Sequence, residues 1–129
     1  GIGGLILVLD VHSYGRYFLS PYVPESQKSD RELLMEDAMI QATAEMIRFS
    51  GEDWSYGSSC NVLYYTGGAA MDWLYQYGIP YSYVVELGDR DDAVGFLLPP
   101  DQIRSTVEEM WAGFKVLLSN IDKTKTCVS

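Results

Sequence analysis

The fold is decided by an apolar run near the start of the chain, Gly4-Leu5-Ile6-Leu7-Val8-Leu9-Asp10-Val11-His12-Ser13-Tyr14. A continuous aliphatic run of this length is typical of a strand buried on both faces, in the centre of a parallel or mixed sheet. His12, the single histidine of the chain, follows directly after it. Ligands of open α/β sheets bind beyond the carboxyl ends of such strands, where an imidazole can bind a metal or move a proton. For a lone histidine a structural role is commoner, so the residues further along the chain have to decide.

The remaining sequence predicts further helices and strands around this first strand. Ser29 to Glu32 form a capping box that begins a helix through about Phe49. A short strand or extended segment is predicted over 61–65 and a strand over 80–87, with a short helix over 69–77 between them. A final helix begins at or shortly after residue 101 and packs against the sheet, and the tail 121–129 is predicted to be disordered. The apolar face of that helix comprises Val107, Met110, Trp111, Phe114, Leu117 and Leu118. Residues 13–28 and 50–59 are predicted to be irregular.

Composition bounds the possible partners. With 129 residues, nearly half of them apolar, the chain can bury one core. A net charge of −9 argues against a nucleic-acid backbone or an anionic membrane as partner. No apolar run approaches the roughly 20 residues that span a bilayer. Cys60 and Cys127 permit one disulfide and are predicted to have no role in metal binding.

Two predicted strands end in ionisable residues, His12 and Glu86. If these strands are neighbours, both side chains meet at the carboxyl edge of the sheet. An imidazole that holds Zn²⁺ and a nearby carboxylate can together activate a water molecule. Because many strands end in Asp or Glu, the spacing alone leaves this prediction open.

Several ordered motifs make the prediction more specific. They are Asp10 to Tyr14, Pro21-Tyr22, Tyr64 with Asp72 to Tyr75, Gly78 to Tyr83, Val85-Glu86-Leu87, Gly95 to Pro99, and Gln102-Ile103 with Thr106 to Gly113. Over roughly residues 4 to 118, they resemble the C-terminal part of the zinc metallocarboxypeptidases of the pancreatic carboxypeptidase A/B family. The resemblance implies an α/β fold with a mixed, mostly parallel central sheet flanked by helices, incomplete in this chain.

The resemblance also implies roles for individual residues. His12 would be the third zinc ligand, and Glu86 the general base that activates the water and passes its proton to the leaving amine. Tyr64 would bind the terminal residue of the substrate. The subsites upstream of the scissile bond would be lined by Ser13, Tyr14 and Phe96.

Substrate preference would be set at Met71, which matches the base of the family's pocket for the C-terminal side chain. An acidic residue there selects Lys or Arg, whereas Met71 predicts an apolar or aromatic preference. Leu63 agrees with this, while Ser59 and Thr66 make the pocket more polar than usual. Packing of Met71 in the core at the start of a helix is the alternative.

Two departures from the family pattern stand close to the predicted base. The family usually has Glu-Leu-Arg-Asp where this chain has Glu86-Leu87-Gly88-Asp89, and the loop over 90–94 is one residue longer. Loss of a nearby cation would leave ionised Glu86 with less electrostatic support. The family's His-x-x-Glu zinc ligands are also outside a chain with one histidine, and catalytic zinc wants three protein ligands.

Residues 1–129 are therefore interpreted as the C-terminal portion of a single peptidase catalytic domain, inactive alone. The implied partners are the N-terminal half of that domain and the C-termini of peptides or proteins. The family implies an extracellular location. A non-catalytic module that binds peptide C-termini is the alternative, and a structural role without an active cleft is the third hypothesis. Alone, the chain is predicted to be aggregated, molten or oligomeric.

Overall fold

The structure is a computed structural model that describes residues 4–64 and 68–125, with side chains described up to residue 121. Its strands are β1 (Leu7–Ser13), β2 (Tyr17–Ser20), β3 (Ser55–Ser58) and β4 (Tyr81–Leu87). Its α-helices are α1 (Asp30–Ser50), α2 (Ser59–Val62), α3 (Ala70–Tyr77) and α4 (Ile103–Lys125). Single 3₁₀ turns cover Glu25–Gln27 and Pro100–Gln102.

The four strands form one sheet in the order β1-β4-β2-β3. The pairs β1–β4 and β2–β3 are parallel, and β2–β4 is antiparallel. The sheet is therefore mixed and mostly parallel, with helices packed against it, which confirms the predicted fold class. The expected central position of β1 is not met within the described residues, where β1 pairs on one side only and is half-buried.

Alternation along β4 separates the two faces of the sheet. Tyr83 and Val85 are buried in the core together with residues of α1 and α4. Ser82, directly before Tyr83, points the other way, and its hydroxyl donates to the Met71 carbonyl at the start of α3 (3.0 Å). In β1, Leu9 packs against the same core as Tyr83. One face therefore carries α1 and α4, and the other meets the start of α3.

The predicted capping box begins α1. The backbone N–H and the hydroxyl of Ser29 both donate to the Glu32 carboxylate, at 2.6 and 2.5 Å, and the Tyr75 hydroxyl donates to its other oxygen. Burial by itself would raise the pKa of Glu32, but these hydrogen bonds outweigh it and lower the pKa to about 2. The helix ends at Gly51, which has a left-handed φ of 75° and closes a hydrogen bond to the Ile47 carbonyl.

Three predictions of secondary structure were wrong. The stretches taken as irregular contain β2 and β3, which are only four residues long and lie next to each other in the sheet. The strand predicted over 61–65 is instead partly occupied by the short helix α2, which starts after Ser58. Its β-branched and aromatic composition favoured a strand, but this segment has no strand partner in the described sheet.

The final helix also differs from its prediction. Its buried side includes Glu109, Ala112, Leu117 and Ile121, whereas half of the predicted face is exposed. The small residues Ala112 and Gly113 bring α4 close to α1, so that side turns inward. The predicted disordered tail is helical as far as Lys125, because Ile121 continues the buried stripe one turn beyond Leu117. Residues 126–129 lie outside the described part.

Candidate active site

The structure places the two predicted catalytic residues side by side. In the parallel pair β1–β4, His12 and Glu86 are partners in register, one residue before the ends of their strands. Glu86 lies on the same face as Ser82, and His12 lies on the face opposite to Leu9. Both side chains therefore project from the face of the sheet that contacts the start of α3, at the carboxyl ends of the two strands.

A third ionisable residue, Asp10, belongs to the same group. Its Oδ1 lies 3.0 Å from Nε2 of His12, and the two side chains are 39% and 50% exposed. The hydrogen bond with Asp10 raises the pKa of His12, against a lowering by burial, and the charges of Asp10 and Glu86 raise it further. The contact occupies one ring nitrogen and leaves Nδ1 outside it.

The electrostatic setting of Glu86 suits a proton acceptor. Burial raises the pKa of this carboxyl, the positive charge of His12 opposes that rise, and Asp10 adds to it. The arginine closest in sequence, Arg90, has its guanidinium 2.8 Å from the Ser55 hydroxyl and stacked over the Tyr17 ring. The place two residues after Glu86 is taken by Gly88, with a left-handed φ of 86°.

Tyr14 and Phe96 also come together. Their rings meet edge to face with centroids 4.9 Å apart, and the Tyr14 hydroxyl donates to Asp92 at 3.1 Å. Gly95, next to Phe96, has a left-handed φ of 50°, which favours glycine at this turn of the loop. The loop after β4 is thus held against the end of β1. The preceding residue, Ser13, is exposed and joined to Tyr14 by a cis peptide bond.

An open groove of about 600 Å³ runs between this loop, the end of β1 and the start of α4. His12, Ser13 and Phe96 are among its lining residues. Most of the others are apolar: Val11, Leu87, Leu98, Ile103 and Val107. A separate cavity of about 350 Å³ near the start of α1 is lined by none of the predicted site residues.

The predicted specificity residues lie on α2, α3 and the segment between them. Met71 is buried, as its alternative role in core packing requires, and its carbonyl accepts the Ser82 hydrogen bond on the His12 face. Ser59 is buried, whereas Leu63 and Tyr64 are exposed, Tyr64 by 68%. Thr66 lies outside the described residues. Cys60 is a free thiol within the described part of the chain, and Cys127 lies outside it.

Comparison with known proteins identifies the family of the chain. The family model described as zinc carboxypeptidase matches residues 3–113. The chain belongs to the zinc carboxypeptidase family. It is 35% identical to rat carboxypeptidase A2 over 114 residues and 34% identical to bovine carboxypeptidase O over 113 residues. These alignments cover 88% of the chain but 27% and 30% of the two relatives. The chain therefore spans under a third of the length of these relatives.

Solved carboxypeptidase structures have the same fold. The structure of bovine thrombin-activatable fibrinolysis inhibitor superposes with a TM-score of 0.79 at 31% identity, over 90% of this chain and 39% of that one. Carboxypeptidase A from Helicoverpa armigera gives a TM-score of 0.77 at 31% identity, over 89% and 29%. The architecture of this zinc carboxypeptidase segment is thus that of its family.

The donor set accounts for part of a zinc site. Imidazole is a usual zinc ligand, and His12 is half-exposed with Nδ1 outside its contact with Asp10. Among the described residues, no three His, Cys, Asp or Glu side chains are grouped as a metal site. His12 therefore fits as one ligand of a site that needs further donors.

No described helix is long and apolar enough to cross a membrane.

Asp10 belongs to the motif around His12, but no role for it was predicted from the sequence. The signal was present, because residues two apart on a strand share a face. Asp10 therefore had to lie beside His12 once the strand was recognised. The direct contact between them could not be read from the spacing, since it depends on side-chain rotamers.

Proposed function

We propose that this chain forms the C-terminal part of the active site of a zinc-dependent carboxypeptidase. The enzyme would remove the C-terminal residue of peptides and prefer apolar or aromatic ones. One observation carries the proposal: His12 and Glu86 stand in register on adjacent parallel strands and share a face. A ligand and a base are thereby held on two rigid elements at the sheet edge where α/β proteins bind ligands.

In this proposal His12 would hold the zinc ion through one ring nitrogen. Bound zinc supplies a Lewis acid that makes water more acidic and polarises a carbonyl. The Glu86 carboxylate takes a proton from the attacking water as the oxygen bonds to the scissile carbonyl carbon. It then gives this proton to the amine nitrogen as the C–N bond breaks. A pKa raised by burial brings Glu86 closer to the working pH, which favours both transfers.

The substrate preference is argued from Met71. Met71 is buried at the start of α3, where its backbone carbonyl accepts the Ser82 hydroxyl from the face of the sheet that carries His12 and Glu86. A thioether there offers a terminal side chain an apolar surface and no charge. We expect higher kcat/KM for peptides that end in Phe or Leu than for peptides that end in Lys.

The second part of the proposal is a partner, the N-terminal part of the same catalytic domain. Within the described residues, the outer edge of β1 has no neighbouring strand. One side of α4 and the loop before it expose a stripe of large apolar residues, which includes Phe96, Leu97, Ile103, Val107 and Trp111. Such a stripe beside an open strand edge is typical of an interface. The partner would supply the remaining zinc ligands, and we expect an extracellular enzyme.

Glu86→Gln in the complete catalytic domain tests the assignment of the base. Gln keeps the shape of the side chain but cannot accept the proton, so we expect kcat to fall by about 10²-fold or more. Glu108→Gln, at an exposed position on α4, is the control and should leave kcat unchanged. Release of the terminal residue from a Phe-ending and a Lys-ending peptide is followed by chromatography. Full activity of Glu86→Gln would exclude Glu86 as the base, and a preference for Lys would exclude the Met71 assignment.

A non-catalytic module that binds peptide C-termini is the second candidate, and Gly88 favours it. Without the family's arginine two residues after Glu86, ionised Glu86 has less support than usual. Equilibrium binding of an uncleaved peptide by the zinc-loaded wild-type domain, with no release of its last residue, would favour this candidate over the enzyme.

A further inference from the structure

We propose that Asp10 is a positioning residue that orients His12 for metal binding. The inference rests on the proposed function, because it concerns the metal that His12 would hold. Asp10 would accept the hydrogen of Nε2–H and thereby direct Nδ1, with its lone pair, toward the metal.

The geometry favours orientation over stabilisation. The two residues are separated by one residue on β1, share a face, and touch through Oδ1 of Asp10 and Nε2 of His12 at 3.0 Å. At 39% and 50% exposure, such an ion pair is screened by solvent and contributes little to stability. The contact instead acts on the imidazole ring, because it fixes both the rotamer of His12 and the nitrogen that carries the hydrogen.

The chemistry of imidazole gives the contact its consequence. In the neutral ring one nitrogen donates and the other accepts, and only the accepting nitrogen can bind a metal. A carboxylate on the donating nitrogen selects that tautomer and makes the other nitrogen more basic. Residues in this position change metal affinity by roughly 10–100-fold when they are removed.

The structure also limits which other residues could do this. Among the described residues, His12 forms an ion pair within 4 Å with Asp10 alone. Glu86, the register partner of His12 on β4, does not form one. Glu86 is therefore left for proton transfer. In this proposal Asp10 orients the His12 ring, and Glu86 transfers the proton to the substrate.

Zinc affinity of the complete catalytic domain is the first test. Competition with a chelator is measured for wild type, Asp10→Ala, Asp10→Asn and the exposed control Asp53→Ala. We expect a 10–100-fold loss for Asp10→Ala, a smaller loss for Asp10→Asn, whose amide oxygen still accepts from Nε2–H, and no change for the control. A loss of less than threefold for Asp10→Ala would overturn the proposal.

Two spectroscopic readings separate orientation from other roles. The visible spectrum of the Co²⁺-loaded domain should show the same coordination number in Asp10→Ala as in wild type. Loss of a ligand there would make Asp10 a metal ligand and overturn the proposal. In the metal-free domain with ¹⁵N only in this segment, His12 is the single labelled histidine. At pH 9 its ring should show the Nε2–H tautomer in wild type and a mixture in Asp10→Ala.

Failure of this inference can be told apart from failure of the proposed function. A wild-type domain that binds no zinc would remove the proposed function and this inference together. A wild-type domain that binds zinc tightly, with an unaffected Asp10→Ala variant, would remove the role of Asp10 alone. If Asp10→Ala does not fold, Asp10→Val takes its place in the zinc and tautomer measurements, because its side chain suits a strand and can neither accept from nor donate to Nε2.

Discussion

Glu109 is a buried carboxylate on α4 whose removal should destabilise the whole segment. It is 3% exposed, and its Oε1 accepts from Nη1 of Arg16 at 2.6 Å, the Ser50 hydroxyl at 2.5 Å and Nε1 of Trp54 at 2.7 Å. These three donors come from the turn before β2, the end of α1 and the segment before β3. One oxygen therefore ties α4 to three other parts of the fold.

The magnitude follows from what Glu109→Ala leaves behind. Arg16 is 17% exposed, so the variant leaves a largely buried guanidinium without its carboxylate, together with an indole N–H and a hydroxyl. Breaking a buried pair by removing one partner costs about 3–5 kcal/mol. Glu109→Gln keeps an acceptor oxygen and loses the charge, so we expect a smaller cost, of about 1–2 kcal/mol.

Urea unfolding of the complete catalytic domain, followed by Trp fluorescence and far-UV dichroism, measures these differences. Glu108→Ala is the matched control, since Glu108 is the neighbouring residue on the same helix and forms an exposed pair with Arg104. Its cost should stay below about 1 kcal/mol. The reasoning would be refuted if Glu109→Ala and Glu108→Ala unfolded at the same urea concentration.

Three further predictions concern stability. Because the folded pKa of Glu32 is about 2 against an ordinary 4.5, its ionised form stabilises the fold above pH 4.5, and this contribution is lost as pH falls toward 2. The difference in unfolding free energy between wild type and Glu32→Gln should therefore shrink over that range, and an unchanged difference would contradict the assignment. Gly113→Val should cost about 1–3 kcal/mol, because a Cβ there would lie 2.4 Å from Met46 and 3.0 Å from the Ala42 carbonyl, whereas Val at exposed position 119 should cost less. Residues 1–129 expressed alone should be aggregated, oligomeric or molten in size-exclusion chromatography and thermal unfolding, and a monomer with a sharp transition would contradict this.

Long apolar segments carried most of the information in the sequence. The strand before His12 and the strand that ends in Glu86 were found from their composition, and the sheet brought their ends together as expected. The start of α1 was found because Ser29 and Glu32 satisfy the first backbone N–H groups of the helix by themselves. These features are local, so the sequence near them is sufficient.

Features that depend on distant partners were missed. The strands β2 and β3 are four residues each, too short for an alternating pattern, and exist because β3 pairs with β2 and β2 pairs with β4. The buried side of α4 was misassigned because the large apolar residues of this helix cover a wider part of its surface than the part that packs against α1 and the sheet. The helix turned Ala112 and Gly113 toward α1, and large residues such as Val107 and Trp111 remained exposed.

The order of strands has a consequence for how the segment folds. β4 is the last strand in sequence, yet it lies between β1 and β2, and its residue Tyr81 pairs with Leu7. Until β4 has been synthesised, β1 has no strand partner within the described sheet, and β2 can pair with β3 alone. Pairing over such long stretches of chain closes large loops and is slow. During synthesis the apolar β1 must therefore wait for about 70 residues, which makes the nascent segment dependent on protection from aggregation until β4 inserts.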